Sequence, residues 1–291
     1  MTASSPYPPQ VADASAPASS ANLGPGFDVL ALALELRCRV RAVPAPEWAI
    51  EHVGEERPEG SVDAVLVAAQ RAVGIEHPLR LTVDNQIPIG KGLGSSAAAA
   101  TAGAVAAWRA LGEEPEDRQV FDLVAAMEDH PDNAAASVYG GLVLCTHDGS
   151  VLRLPLHPGL IPLVAVPDST LATNEARAAL PDRLERATVV RSLSRLAALV
   201  AGLMSGDEHL LAAAAGDEMH ETPRNSLRPE AGEAVAAARA AGAAHASWSG
   251  SGPAVVALVD PANVVRVARA LESAIAGGRV LELKVAATGY E

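Results

Sequence analysis

The sequence predicts an α+β protein. Three observations carry this. The second half reads strand, helices, strand, helix, strand, an order that suits helices laid on a mostly antiparallel sheet. The first half places a glycine-rich loop between a strand and an Ala-rich helix. A turn-rich stretch, Thr146-His147-Asp148-Gly149-Ser150, separates the halves and marks the domain boundary. The 291 residues suffice for one large domain or two of ordinary size.

Residues 1–9 are read as a disordered lead-in, because Ala, Ser and Pro dominate there. Residues 19–28 form a turn-rich loop. Val29 to Leu34 is an apolar run. Beyond it Leu36, Cys38, Val40 and Ala42 alternate with Arg37, Arg39 and Arg41, the period of a half-exposed strand. Residues 44–60, rich in Pro, Gly and Glu, read as a surface loop. A helix is expected over 62–73 and a strand over 79–84, followed by the glycine loop at 90–94. Helices follow from Ser95 to about Leu111, stopped by Gly112 and Pro115, and over 117–128, where Val120, Leu123, Val124 and Met127 share one face. After a loop at 130–133 comes an apolar stretch to Cys145. The second half predicts strands at 151–156 and 161–166 and helices at 185–204, 207–221 and 229–241. A turn at 249–253, a strand at 254–259, a helix at 262–275 and a strand at 280–287 complete it.

Composition narrows the function. Apolar residues make up 49% and charged residues 20%, the balance of a globular protein, and the 3% aromatic content leaves Ala, Val and Leu to build the core. The net charge of −13 repels phosphate backbones, so nucleic acid is not expected as a partner. It does not exclude a nucleotide, which a nest of backbone amides holds whatever the global charge. No unbroken run of about 18 apolar residues occurs, so no membrane span is expected. Cys38 and Cys145 read as buried thiols of a cytoplasmic protein, not as a redox or metal pair.

The chemistry centres on Pro88-Ile89-Gly90-Lys91-Gly92-Leu93-Gly94-Ser95-Ser96-Ala97. Three alternate glycines admit positive φ and turn amides toward an anion, and the helix opening at Ser95 adds its free N-terminal amides and positive dipole end. The string is neither a P-loop, since Lys91 is followed by Gly92, nor the dinucleotide fingerprint, since Ser95 stands where the last glycine belongs.

This string resembles the ATP-binding signature of the GHMP kinases. Ser20-Ala21-Asn22-Leu23-Gly24-Pro25-Gly26-Phe27-Asp28 is similar to the family's first motif and Ser249-Gly250-Ser251-Gly252-Pro253 to its third, in the family's order. The resemblance implies a two-domain α+β fold. An N-terminal ribosomal-protein-S5-like α/β domain would span 10–148, and a ferredoxin-like α+β domain 149–291. It implies ATP held by Pro88 to Ala97, Mg²⁺ held by Glu128 and Ser96, and both substrates in the cleft between the domains. A homodimer is implied in the same way.

Within the family, three stretches are similar to the members that phosphorylate L-homoserine. In the first motif, Asp28 would take the substrate ammonium and Asn22 its polar groups. The structural alternative is that Asn22 caps a turn and Asp28 pairs with an arginine. Glu128-Asp129-His130-Pro131-Asp132-Asn133 departs from the family pattern in having Asp129 for glycine. Asn133 falls where mevalonate and galactose kinases supply an aspartate base. An amide cannot abstract a proton, so positioning and charge stabilisation by Asn133, Glu128 and Ser96 would drive direct transfer. His130 reads as a cap or packing residue. Thr173-Asn174-Glu175-Ala176-Arg177, with Asn174 for the usual lysine, and His220-Glu221-Thr222-Pro223-Arg224 would supply two arginines, Arg177 and Arg224, for the substrate carboxylate. Gly250, Ser251 and Gly252 complete the expected pocket. Two rival readings predict other residues. Another kinase of the family would carry an aspartate near 133 and lack the paired arginines. A sensor derived from the fold would show a damaged glycine loop, and this loop is intact.

Overall fold

The computed structural model describes residues 10–54, 63–128, 130–275 and 277–291. The expected lead-in at 1–9 and the substitution at Asp129 lie outside the described residues. Two sheets organise the chain. The first has six strands: β1 (Ala12–Ala21), β2 (Leu30–Pro44), β3 (Ala49–His52), β4 (Leu79–Asn85), β5 (Leu142–Cys145) and β6 (Val151–Leu154). The 15-residue β2 is its spine. Its first part pairs with β5 (Leu30↔Leu144) and its second part with β4 (Cys38↔Asn85), while β1 runs antiparallel along nearly all of it. The β1 register shifts between Pro17 and Ala18, where the missing N–H of proline already breaks the ladder.

The apolar side of this sheet is covered by helices. They are α1 (Ala64–Val73), α2 (Ser95–Ala110), α3 (Asp117–Glu128) and α4 (Asp132–Tyr139). Helix α2 is buried around almost its whole circumference, and its sequence, Ser-Ser-Ala-Ala-Ala-Ala-Thr-Ala-Gly-Ala-Val-Ala-Ala-Trp-Arg-Ala, explains how that is possible. Small side chains let strands and helices approach from every side, and alanine has the highest helix propensity. At Gly103 the backbone of α1 comes so close that a β-carbon would lie 2.7 Å from the Val65 carbonyl oxygen and 3.0 Å from its Cα.

The second sheet has the order β10-β7-β9-β8 and is antiparallel throughout. Its strands are β7 (Ile161–Val166), β8 (His245–Trp248), β9 (Val255–Val259) and β10 (Arg279–Glu282). Helices α5 (Thr173–Ala178), α6 (Arg186–Ser205), α7 (Glu208–Ala213), α8 (Glu221–Arg224), α9 (Pro229–Ala240) and α10 (Val264–Ala274) belong to this half. Beyond β10 the chain returns to the first sheet. There Leu34 bridges Val285, and Ser15 and Glu291 exchange both backbone hydrogen bonds at 2.9 Å.

The α+β class and the antiparallel second sheet match the sequence reading, and several elements correct it. The predicted helix 207–221 is two short helices, because Gly216 (φ 83°) breaks it and Asp217 caps α8, accepting from the amides of His220 and Glu221. The turn-rich stretch 19–28 begins as strand, and residues 49–52 of the predicted loop form β3. Helix α6 has 20 residues with mean hydropathy 1.4 in its apolar window, long and apolar enough by length and composition to cross a membrane. Here Leu199, Gly202 and Leu203 face the core, while Arg191 and Arg195 pair with Glu218 at 2.6 and 2.9 Å.

Replacing Gly103 with alanine sets two effects against each other. Propensity favours Ala by about 1 kcal/mol, whereas the new methyl meets backbone atoms of α1 that cannot rotate away. Overpacking of this kind costs about 1–3 kcal/mol. Urea unfolding of G103A should therefore show a lower midpoint than the parent; a raised midpoint would mean that the two helices separate freely.

Candidate active site

The glycine loop lies at the seam of the two sheets. Gly90, Gly92 and Gly94 all have positive φ (67°, 80° and 64°), conformations that side chains resist. The loop is anchored through four consecutive carbonyls. Gly90 O accepts from the Leu171 amide (3.3 Å), Lys91 O from the Ala254 amide (3.0 Å), Gly92 O from the Ser249 hydroxyl (2.8 Å) and Leu93 O from the Ser19 amide (3.1 Å). With the carbonyls held outward, the amides of Gly92 to Ala97 have no acceptor among the described residues. They form a donor-lined hollow continuous with the N-terminus of α2, the arrangement that binds a phosphate chain. A β-carbon on Gly92 would run into Ser249 O and Gly252 N. One on Gly94 would run into the Ser19 hydroxyl, so neither glycine tolerates a side chain.

The first motif interlocks with the third. Asn22, Leu23 and Asp28 adopt left-handed backbone (φ 70°, 50° and 55°). Asn22 Nδ2 donates to Gly250 O at 2.9 Å, its Oδ1 accepts the Asp28 amide at 3.0 Å, and Gly250 N donates to Ala21 O at 3.0 Å. The side-chain amide of Asn22 is thus engaged within the protein, which is the capping role. Two buried histidines hold the same loop from below: His220 Nε2 donates to Gly24 O (2.8 Å) and His245 Nε2 to Leu23 O (3.1 Å). The Arg224 guanidinium donates to His220 Nδ1 at 2.9 Å, which fixes the neutral Nε2–H tautomer.

Beside this loop Asp28 and Arg177 form a two-pronged ion pair, 2.7 and 3.3 Å. The pair is only about one-third exposed. The Phe27 ring packs below it, stacked on His220 (5.2 Å) and within 5.4 and 5.6 Å of the Arg177 and Arg224 guanidiniums. Arg224 is almost fully buried and donates to Gly250 O (3.0 Å) and Ala176 O (3.3 Å). Burial, reinforced by neighbouring Arg177, pushes its pKa down to about 10.

Across the cleft, α3 ends at Glu128 and α4 begins at Asp132. Buried Asp132 accepts from the Asn133 amide (2.7 Å) and pairs with His130 Nδ1 (3.0 Å). Burial opposes charge on His130, but the bond and charge of Asp132 outweigh it and raise its pKa. Asn133 Oδ1 accepts the Ser19 hydroxyl at 2.7 Å, so Asn133 is fixed against the glycine loop.

One cavity of about 510 Å³ gathers most of these groups. Asn22, Asp28, Pro88 to Gly90, Gly92 to Ser96, Glu128, Asn133, Arg177, Arg224, Gly250 and Ser251 all line it. Three expected residues do not. The Lys91 side chain turns away to the carbonyls of Asp168 and Ser169, Ala97 is buried within α2, and Gly252 packs on the Trp248 ring. The cavity also contains lining that sequence reasoning missed: His52, Val65, Asn85, Ala99 and Met127. His52 bonds Asp63, the N-cap of α1, at 2.7 Å, and no local pattern in a stretch read as loop announces it. Among the described residues no group of three His, Cys, Asp or Glu side chains is disposed to hold a metal ion. Glu128 with the exposed Ser96 hydroxyl suits an ion that takes its other ligands from phosphate and water, which is the habit of Mg²⁺.

Three buried groups titrate abnormally beneath the site. Burial lowers His220 and His245 to about 4, and burial raises Glu221, which accepts the Trp248 amide at 2.8 Å, to about 7. Between pH 6.5 and 5 the unfolded chain binds two histidine protons that the folded chain refuses. The folded chain keeps one on Glu221 that the unfolded chain has released. The two histidines outnumber Glu221, so together these three groups contribute stability that is lost as pH drops through this window. His245→Gln keeps a donor for Leu23 O and does not titrate. Its urea midpoint should fall less than the parent's from pH 6.5 to 5; a fall equal to the parent's would place the titration elsewhere.

The chain is similar to known proteins along most of its length. Residues 61–141 match the GHMP kinases N terminal domain and residues 196–277 the GHMP kinases C terminal domain. The chain is 40% identical over 276 residues to a homoserine kinase of Thermus thermophilus, covering 92% of this chain and 94% of the relative. It is 39% identical over 251 residues to a homoserine kinase of Moorella thermoacetica, covering 83% of this chain and 85% of the relative. The crystal structure of homoserine kinase from Cytophaga hutchinsonii superposes with a TM-score of 0.85 at 28% identity, covering 97% of this chain and 96% of that one. An intact donor-lined hollow, the interlocked first and third motifs and these likenesses along nearly the whole chain lead to one conclusion: the chain belongs to the GHMP kinase family, among its homoserine kinases.

Proposed function

We propose that the protein transfers the γ-phosphoryl group of ATP to the side-chain hydroxyl of L-homoserine, giving O-phospho-L-homoserine for threonine biosynthesis. The observation that carries this reading is the Asp28–Arg177 pair at the wall of the cleft that also holds the phosphate hollow. An α-amino acid offers an ammonium and a carboxylate on one carbon. It can therefore replace an internal ion pair with two external ones, Asp28 to ammonium and Arg177 to carboxylate, so neither charge is left bare. Buried Arg224 adds positive potential on the carboxylate side. Mevalonate lacks the ammonium and galactose lacks both groups.

The roles of the remaining residues follow from their chemistry. The amides of the loop and of the α2 N-terminus receive the phosphates of ATP. Glu128 and Ser96 would hold Mg²⁺, which when bound neutralises charge on the β- and γ-phosphates. Asn133, pinned by Ser19 and Asp132, orients the substrate hydroxyl without taking its proton. Transfer is in line and loose, so the hydroxyl proton leaves late, to phosphate or water, and no strong protein base is needed. We place the reaction in the cytoplasm and in a homodimer on the family resemblance.

ADP release with MgATP, tested against L-homoserine, mevalonate and galactose, should show turnover with homoserine alone. A hydroxy acid with the same carboxylate and terminal hydroxyl but no ammonium should be a poor substrate, because it leaves Asp28 unpaired. Arg177→Met should raise the KM for homoserine about 10- to 100-fold, the worth of a lost charged hydrogen bond. Turnover of mevalonate at a comparable rate would overturn the assignment.

Ser96→Ala and Glu128→Gln should each lower kcat by about 100-fold or more while leaving homoserine affinity within about threefold. Equal losses in affinity and turnover, measured by calorimetry and steady-state kinetics, would remove both from the phosphate side.

A further inference from the structure

Lys91 is the one cation in the glycine loop, and chemistry would first assign it to a phosphate. Its position argues otherwise. The ammonium donates to Asp168 O at 2.6 Å and to Ser169 O at 2.7 Å, and the side chain does not line the cleft. Partial burial lowers its pKa, an effect that the Asp168 charge opposes. The segment it grasps is short and leads somewhere specific. It leaves β7 after Val166 and enters α5 at Thr173, the helix that carries Arg177. The same segment meets the loop again through Leu171 N to Gly90 O (3.3 Å), and Thr170 carbons lie 3.6 Å from where a Gly90 β-carbon would be. From its far side it is held by α9 and the turn before it: Arg228 donates to Thr170 O (2.7 Å) and Ser169 Oγ to Glu230 (3.2 Å).

We propose that Lys91 is a positioning residue that couples the two substrates, tying the phosphate loop to the 168–172 segment and through it to Arg177. Occupation of the loop by a nucleotide fixes the loop. The ammonium then fixes the carbonyls at 168 and 169, and α5 presents Arg177 in register with Asp28. The amino acid binds a site already ordered, and by linkage it tightens the nucleotide in return. This rests on the proposed function for the identity of the amino acid, but not for the strap itself.

Two measurements test it on the whole chain. The first needs no ligand: amide hydrogen exchange by NMR or mass spectrometry over residues 168–172. Lys91→Met should speed exchange there, at Leu171 above all, with α2 and the second sheet unchanged, and Lys91→Arg should restore most of the protection. The second is calorimetric titration of L-homoserine with and without a saturating non-hydrolysable ATP analogue. In the parent the analogue should tighten homoserine by about fivefold or more. In Lys91→Met that factor should fall to near one, with the affinity for the analogue alone changed by less than about threefold. Unchanged exchange at 168–172 overturns the strap whatever the substrate proves to be. Lys91→Met that weakens the analogue tenfold or more, with coupling intact, overturns it in favour of a direct phosphate ligand. Faster exchange together with a parent that binds no homoserine would leave the strap standing and fail the substrate assignment.

Discussion

Four carbonyls in a row, Gly90 to Leu93, are hydrogen-bonded outward by segments near 171, 254, 249 and 19. The rest of the site depends on this constraint. A peptide unit turned so that its oxygen meets the protein necessarily aims its N–H the other way. The donor-lined hollow is therefore made by the neighbours of the loop as much as by its glycines. Because those neighbours come from the first sheet and from segments that flank the strands of the second, the loop also closes the seam between them. Its glycines serve twice over, since left-handed backbone is required and there is no room for a side chain at Gly92 or Gly94.

A second constraint supports the first. The left-handed turn at Asn22 to Gly24 would be costly alone, and it is held by buried neutral histidines, by Asn22 itself and by the Gly250 backbone. These contacts trade charge for precision. His220 and His245 donate to single carbonyls in a dry interior where protonation is penalised, while Arg224 keeps its charge by bonding carbonyls and a ring nitrogen. The result is a rigid floor under the Asp28–Arg177 pair. The pair itself sits at the edge, where solvent can reach it.

The two charged loop-side residues illustrate how similar groups take different work. Arg177 and Lys91 both bridge the halves of the molecule. The planar fork of Arg177 faces a carboxylate in the cleft, and it can exchange that partner for another carboxylate of the same shape. The ammonium of Lys91, a point donor, faces two fixed carbonyls away from the cleft. A reading by residue type alone puts both on the ligands.

Much of this was legible in the sequence. The resemblance of the three glycine-bearing motifs pointed to the family and its fold, the periodicity of β2, β4 and α3 to individual elements, and Asp28, Glu128, Asn133, Arg177 and Arg224 all line the cavity. These signals are local: a positive φ favours glycine, and a two-sided strand needs alternation. Elements without a local signal escaped. Strand β8 is buried along its whole length and shows no alternation, β1 is almost all Ala, Ser and Pro, and the eight-residue α4 hides inside an apolar run. The direction of a long side chain was equally out of reach, because Lys91 and Asp168 are 77 residues apart and only packing brings them together. Sequence determined which chemical groups the protein owns and where the backbone must bend. Tertiary structure decided which of them face the cleft, since that depends on partners contributed by distant segments competing for the same carbonyls and charges.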